Sequence, residues 1–191
     1  MQYYSTEHKS PSVSLQEAVI KGLAPDRGLY MPERISEIPK AFFNNIAEMP
    51  LQDIAYVVAN TLFGDDIESE TLRNIVNETL SFDIPLKEVE NDRYVLELFH
   101  GPTLAFKDVG ARFMARLLGH FNRSRNGKEV NVLVATSGDT GSAVANGFLG
   151  VPGVRVYVLY PKGKVSPIQE AQFTTLGKNI TALEVSGTFD D

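Results

Sequence analysis

Apolar residues along the chain fall into two rhythms that change near residue 85. In the first stretch they recur at helical spacing. Leu51, Ile54, Ala55, Val58 and Leu62 form one stripe and Leu72, Ile75, Val76 and Leu80 another, so each predicts a helix with one buried face. Ser14-Leu15-Gln16-Glu17 is a capping box, in which the Ser hydroxyl accepts from a backbone N–H and the Glu reaches back, and a helix to about Leu23 should follow. Gly28-Leu29-Tyr30-Met31-Pro32-Glu33, set among glycines and prolines, reads as a fixed turn.

From Pro85 the period shortens. Pro85 to Val89 and Tyr94 to Phe99 are β-favouring runs around the polar turn Glu90-Asn91-Asp92-Arg93, and a sheet is expected to begin there. Helices and strands then alternate: helix Lys107 to His120, strand Glu129 to Thr136, helix Thr140 to Leu149, strand Val154 to Tyr160, helix Ser166 to Leu176, strand Asn179 to Val185. This is the βαβ pattern of a parallel sheet covered by helices. Val130 to Ala135 is mostly apolar, as expected of a strand buried on both faces. Ser166 supplies an N-cap, Pro167 a first helical residue and Gly177 a stop. The fold class is therefore α/β: a mainly helical amino-terminal domain, residues 1–84, followed by a parallel α/β domain, residues 85–191. The alternation halts at Thr188-Phe189-Asp190-Asp191 where another helix is due, so the second domain reads as truncated.

Composition narrows the function. The 191 residues are 43% hydrophobic and 22% charged, which is ordinary globular usage. A net charge of -6, with no basic run interleaved with aromatics, argues against a nucleic-acid partner. The absence of cysteine removes disulfides and thiolate metal sites and is compatible with a reducing compartment. The polar start Met1 to Lys9 lacks a signal-peptide core, and no apolar run approaches the roughly 18 residues of a membrane span, so a cytoplasmic protein without a membrane partner is expected. His8, His100 and His120 have no partners at metal-ligand spacing, and no metal is expected.

Three segments carry candidate chemistry. His100-Gly101-Pro102-Thr103-Leu104-Ala105-Phe106-Lys107-Asp108 is a turn feeding the helix of Phe113, Met114, Leu117 and Leu118, which puts Lys107 near a helix N-terminus. The helix dipole disfavours a cation there, and an apolar setting does the same, so both favour the neutral, nucleophilic amine that Schiff-base chemistry needs. An ordinary solvated lysine fits the same position. Thr136-Ser137-Gly138-Asp139-Thr140-Gly141 joins a strand to a helix, and its glycines, hydroxyls and unsatisfied N–H groups suit a carboxylate or phosphate. It is neither a P-loop nor a G-x-G-x-x-G motif, and Asp139 or Thr140 acting only as a helix cap remains open. Lys162, Lys164 and Ser166, in Tyr160-Pro161-Lys162-Gly163-Lys164-Val165-Ser166-Pro167, could receive a phosphate or be plain loop residues.

Together these segments, with Ser14 to Leu23, Gly28 to Glu33 and Leu96 to Asp108, resemble the threonine synthases, a family of the pyridoxal-phosphate fold-type II group. The resemblance runs along most of the chain. It implies that Lys107 forms the Schiff base with pyridoxal 5'-phosphate and later shuttles protons, that Phe106 packs near the cofactor, and that Thr136, Ser137, Gly138, Asp139, Thr140 and Gly141 hold the substrate carboxylate. Asp139 stands where many fold-type II relatives carry Asn near the cofactor's 3-oxygen. A carboxylate there repels a substrate carboxylate unless it is turned away, hydrogen-bonded or protonated. The implied reaction converts O-phosphohomoserine and water to threonine and phosphate. In the family, the cofactor-phosphate loop and the partner of the pyridine nitrogen lie in later segments, so the 191 residues alone are expected to be inactive. A dehydratase-like lyase of the same group, or a non-catalytic module on the same fold, are the competing readings.

Overall fold

The computed structural model describes residues 1–123 and 128–188; Phe189 to Asp191, on which the truncated reading partly rests, lie outside them. The chain forms two compact units, Met1–Leu80 and the residues from Ser81 onward.

The first unit contains β1 (Tyr3–Ser5), α1 (Leu15–Lys21), β2 (Tyr30–Pro32), α2 (Lys40–Asn45), a 3-10 turn (Ile46–Glu48), α3 (Leu51–Phe63) and α4 (Ser69–Thr79). The Ser14 hydroxyl caps α1 by accepting from Glu17 N–H at 3.2 Å, as its motif predicts, while the Glu17 carboxylate, expected to reach back to Ser14, pairs with Lys21 one turn on instead. The stripe on α4 is buried throughout: Leu72, Ile75, Val76 and Leu80 are all core residues. The stripe read on α3 is not, because Ala59, outside it, is that helix's buried residue and Val58 faces outward. Small Ala59 allows close approach, whereas the larger residues are only half-covered.

The segment read as a fixed turn is partly a strand, since Tyr30–Pro32 pairs antiparallel with Tyr3–Ser5, Tyr4 opposite Met31. Its anchor is Asp26, whose carboxylate accepts from Ser5 Oγ at 2.6 Å, Lys9 N–H at 2.9 Å and Gly28 N–H at 3.1 Å. Gly28 is glycine for want of space: a Cβ would lie 2.1 Å from Ser5 Oγ. These long-range bonds are invisible to a local reading of glycine and proline.

The second unit contains β3 (Leu86–Glu90), β4 (Arg93–Leu96), α5 (Lys107–Asn122), β5 (Val130–Ala135), α6 (Asp139–Gly147), β6 (Val154–Pro161), α7 (Pro167–Thr174) and β7 (Ile180–Val185). The parallel sheet runs β5-β6-β7, with Val130 opposite Val154 and Val156 opposite Ile180. Val154, Val156, Val158 and Tyr160 put the buried face of β6 in the core, as period-2 alternation requires. β3 and β4 do not begin that sheet. They form a separate antiparallel hairpin whose residues are exposed on both faces. β5 also departs from expectation, because its residues alternate half-buried and exposed and Leu133 is 71% exposed. An apolar run marks a strand well but does not say how many faces are covered.

Candidate active site

The lysine segment is a tight turn held from inside. Thr103 N–H donates to Asp108 Oδ2 at 2.9 Å and Thr103 Oγ1 donates to Asp108 Oδ1 at 2.7 Å, both residues being buried. A Cβ on Gly101 would approach Asp108 Oδ2 to 2.6 Å, so glycine there leaves room for the carboxylate. Leu104, at the turn's apex, adopts φ 61°, a left-handed conformation that costs a non-glycine residue roughly 1–2 kcal/mol. The two bonds to Asp108 offset that cost. The turn delivers Lys107 as the first residue of α5, half-buried, with Nζ 5.3 Å from the ring centroid of the exposed Phe106. Among the described residues no carboxylate pairs with Lys107 Nζ.

The glycine loop is built on Thr136, which is 1% exposed. Its Oγ1 accepts from Gly138 N–H at 3.0 Å and from Gly141 N–H at 2.8 Å, folding the loop around a buried hydroxyl. Gly138 is the N-cap of α6 with φ 148°, a conformation open to glycine, and a Cβ on Gly141 would meet Thr136 Cγ2 at 2.4 Å. The capping role left open for Asp139 and Thr140 does not occur: they lie within the first turn of α6, whose N-cap, Gly138, has no side chain to accept. Thr136, the first residue of the expected loop, does the work of a cap by accepting from Gly141 N–H. Among the described residues, the N–H groups of Asp139 and Thr140 have no acceptor, so the positive end of α6 is available to an anion.

Asp139 is turned to α7. Its Oδ1 accepts from Gln169 Nε2, while Ser166 Oγ donates to Gln169 Oε1 at 3.0 Å. Ser166 is also the N-cap of α7, accepting from Gln169 N–H, and Pro167 follows at the first position, as expected. One turn on, Gln172 Nε2 donates to Thr103 O at 3.3 Å. Residues three apart lie on one helix face, so a single side of α7 touches both the turn that presents Lys107 and the loop from Ser137 to Gly141. Neither glutamine stood out in the sequence, because the partners of each lie 30 and 69 residues away.

The third segment follows β6 at the same carboxyl edge of the sheet. Lys162 Nζ lies 3.7 Å from a Glu184 oxygen and Lys164 Nζ donates to Gly187 O at 3.2 Å. Both lysines and Ser166 are exposed, with their polar atoms already engaged.

In this α/β unit the turn that presents Lys107 at the start of α5 and the loop at the start of α6 are thus both tied to one face of α7. Residues 2–80 match the family model described as threonine synthase N terminus. The chain is 42% identical over 190 residues to threonine synthase from Haemophilus influenzae, covering 100% of this chain and 44% of that protein. The crystal structure of threonine synthase from Escherichia coli superposes with a TM-score of 0.88 at 42% identity, over 100% of this chain and 44% of that one. PLP-bound threonine synthase from Brucella melitensis gives a TM-score of 0.91 at 34% identity, over 100% and 42% respectively. Over its whole length the chain is similar to these threonine synthases, and it spans less than half of their length.

Proposed function

We propose that this chain supplies the lysine side of a threonine synthase active site, converting O-phospho-L-homoserine and water to L-threonine and phosphate with pyridoxal 5'-phosphate. The observation that carries the reading is Lys107: a half-buried amine at the start of α5, free of ion pairs among the described residues and fixed by the Thr103–Asp108 lock. Such an amine fits a cofactor aldehyde. A paired or fully solvated ammonium would first have to lose its partner or its water.

When bound, the cofactor delocalises negative charge that develops at the substrate's Cα and Cβ. With the cofactor and substrate in place, Lys107 Nζ would take the proton from Cα and serve the protons at Cβ and Cγ, a role typically worth about 10²–10⁴-fold. The substrate carboxylate docks on the N–H groups of Asp139 and Thr140 with the hydroxyls of Ser137 and Thr140, where the α6 dipole favours it. Gly138 and Gly141 let the backbone approach, and buried Thr136 fixes the loop's shape. Phe106 walls the amine on one side. Lys162, Lys164 and Ser166 add positive charge and a hydroxyl at the same edge, and their existing bonds make phosphate contact there the less supported assignment.

The test is Lys107→Ala in the complete protein. Loss of the visible absorbance of the lysine-bound cofactor, with threonine formation falling by several orders of magnitude and the fold retained, is expected. Full absorbance and turnover without the amine would exclude the assignment. The 191-residue chain by itself is expected to bind the cofactor weakly, and a stable, stoichiometric absorbance band from it would contradict that.

A further inference from the structure

Asp139 presents a difficulty that the loop's other residues do not. It is the first residue of α6, beside the N–H groups offered to an anion, and a carboxylate there repels the carboxylate that the proposed function brings in. The structure resolves the conflict through α7. Gln169 Nε2 donates to Asp139 Oδ1, and the orientation of that amide is fixed from behind, because Ser166 Oγ donates to Gln169 Oε1 at 3.0 Å and leaves the NH2 group facing Asp139. The backbone of Gln169 is tied to the same loop: Ser142 Oγ lies 3.1 Å from Gly138 O and 3.4 Å from Gln169 O. The end of the Gln169 side chain fills the space where a Cβ on Gly138 would sit, 2.5 Å from Oε1. Thus the absent side chain at Gly138 makes room for the amide that holds Asp139.

We propose that Gln169, oriented by Ser166, is a positioning residue that ties back the Asp139 carboxylate and so keeps the Ser137–Gly141 loop receptive to a substrate carboxylate. This rests on the reading of that loop as the carboxylate site. Gln169 itself touches neither substrate nor cofactor in this scheme. Its action is electrostatic, which sets it apart from a residue that only packs: removing the amide does harm through the charge of Asp139, and removing that charge cures it.

The experiment is a titration of the isotopically labelled chain with acetate, a bare carboxylate, following the amide resonances of Ser137, Asp139, Thr140 and Gly141. Gln169→Leu should weaken acetate binding roughly 5-fold, the size of one unit charge about 4 Å away in bulk water, as suits the exposed Asp139. Gln169→Glu, which keeps the side chain's size and adds a second charge, should weaken it further and serves if the Leu variant loses its spectrum. Asp139→Asn in the Gln169→Leu background should return binding to the wild-type level or above, and in the Gln169→Glu background should restore it only in part, because the charge of Glu at position 169 remains. Unchanged binding in both Gln169 variants, or failure of Asp139→Asn to restore it, overturns the proposal while leaving the loop as the carboxylate site. If acetate perturbs none of these amides in wild type or in any variant, the loop is not a carboxylate site and both readings fall together.

Discussion

Thr103 and Asp108 close on each other inside the turn that presents Lys107: the N–H and the hydroxyl of Thr103 each donate to a different oxygen of one buried carboxylate, at 2.9 and 2.7 Å. The bonds span five residues and hold Leu104 at positive φ between them. Asp108→Ala leaves two donors without acceptors, and orphaned buried donors cost about 1–3 kcal/mol each. We expect the unfolding free energy of the second unit, read from urea titration, to fall by about 2–6 kcal/mol, with Asp108→Asn milder because its amide oxygen still accepts one bond. An Asp108→Ala variant as stable as wild type would show that the turn is held by something else.

Thr136 is the corresponding lock of the glycine loop. Thr136→Val keeps the shape of a residue 1% exposed but removes the acceptor of the Gly138 and Gly141 N–H groups. The expected loss is about 1–3 kcal/mol, with faster hydrogen exchange confined to those two amides, whereas Thr136→Ser should retain most of the stability. Exchange unchanged at Gly141 would refute the role.

Gly141→Ala should destabilise by roughly 1–3 kcal/mol, because the new methyl meets Thr136 Cγ2 at 2.4 Å inside the core, where neither atom can swing away. Gly138→Ala strains a φ of 148° and also displaces the end of Gln169. The two differ in readout: Gly141→Ala lowers the melting temperature, while Gly138→Ala in addition shifts the resonances of the Gln169 side-chain NH2 group. Identical melting curves for Gly141→Ala and wild type would contradict the close contact.

The first unit has its own acid limit. Ser5 Oγ, together with the N–H groups of Gly28 and Lys9, holds Asp26 well below its ordinary value of 3.8, at about 2. A carboxyl depressed in the folded state binds its proton less readily there than in the unfolded chain. Its stabilisation is therefore complete above about pH 4 and is lost as the pH falls toward 2. Ser5→Ala removes the largest contribution, so the Asp26 carboxyl should titrate at higher pH by NMR and acid unfolding of this unit should begin earlier. Coincident acid-unfolding curves for Ser5→Ala and wild type would refute the linkage.

What the sequence determined by itself is what near neighbours decide. The stripe of Leu72, Ile75, Val76 and Leu80, the Ser14 and Ser166 caps, and the alternation from α5 to β7 depend on spacings of two to four residues, and the structure has them nearly where periodicity put them. Lys107 and the Thr136–Gly141 loop were legible for a related reason, since each sits where one element gives way to the next and its unusual residues stand out. Tertiary structure alone decided which faces are covered, as the exposed Leu133 and the free-standing hairpin of β3 and β4 attest, because coverage depends on partners rather than on pattern. It also decided how the site is held. Asp139 could be placed at the start of α6 from sequence, but the amide that occupies it comes from Gln169, thirty residues on, and Gln172 reaches Thr103 across sixty-nine. A hydrogen bond is specified by a distance and an angle in space, and two polar residues so far apart in the chain carry no mark of each other until the fold brings them within 3 Å or so.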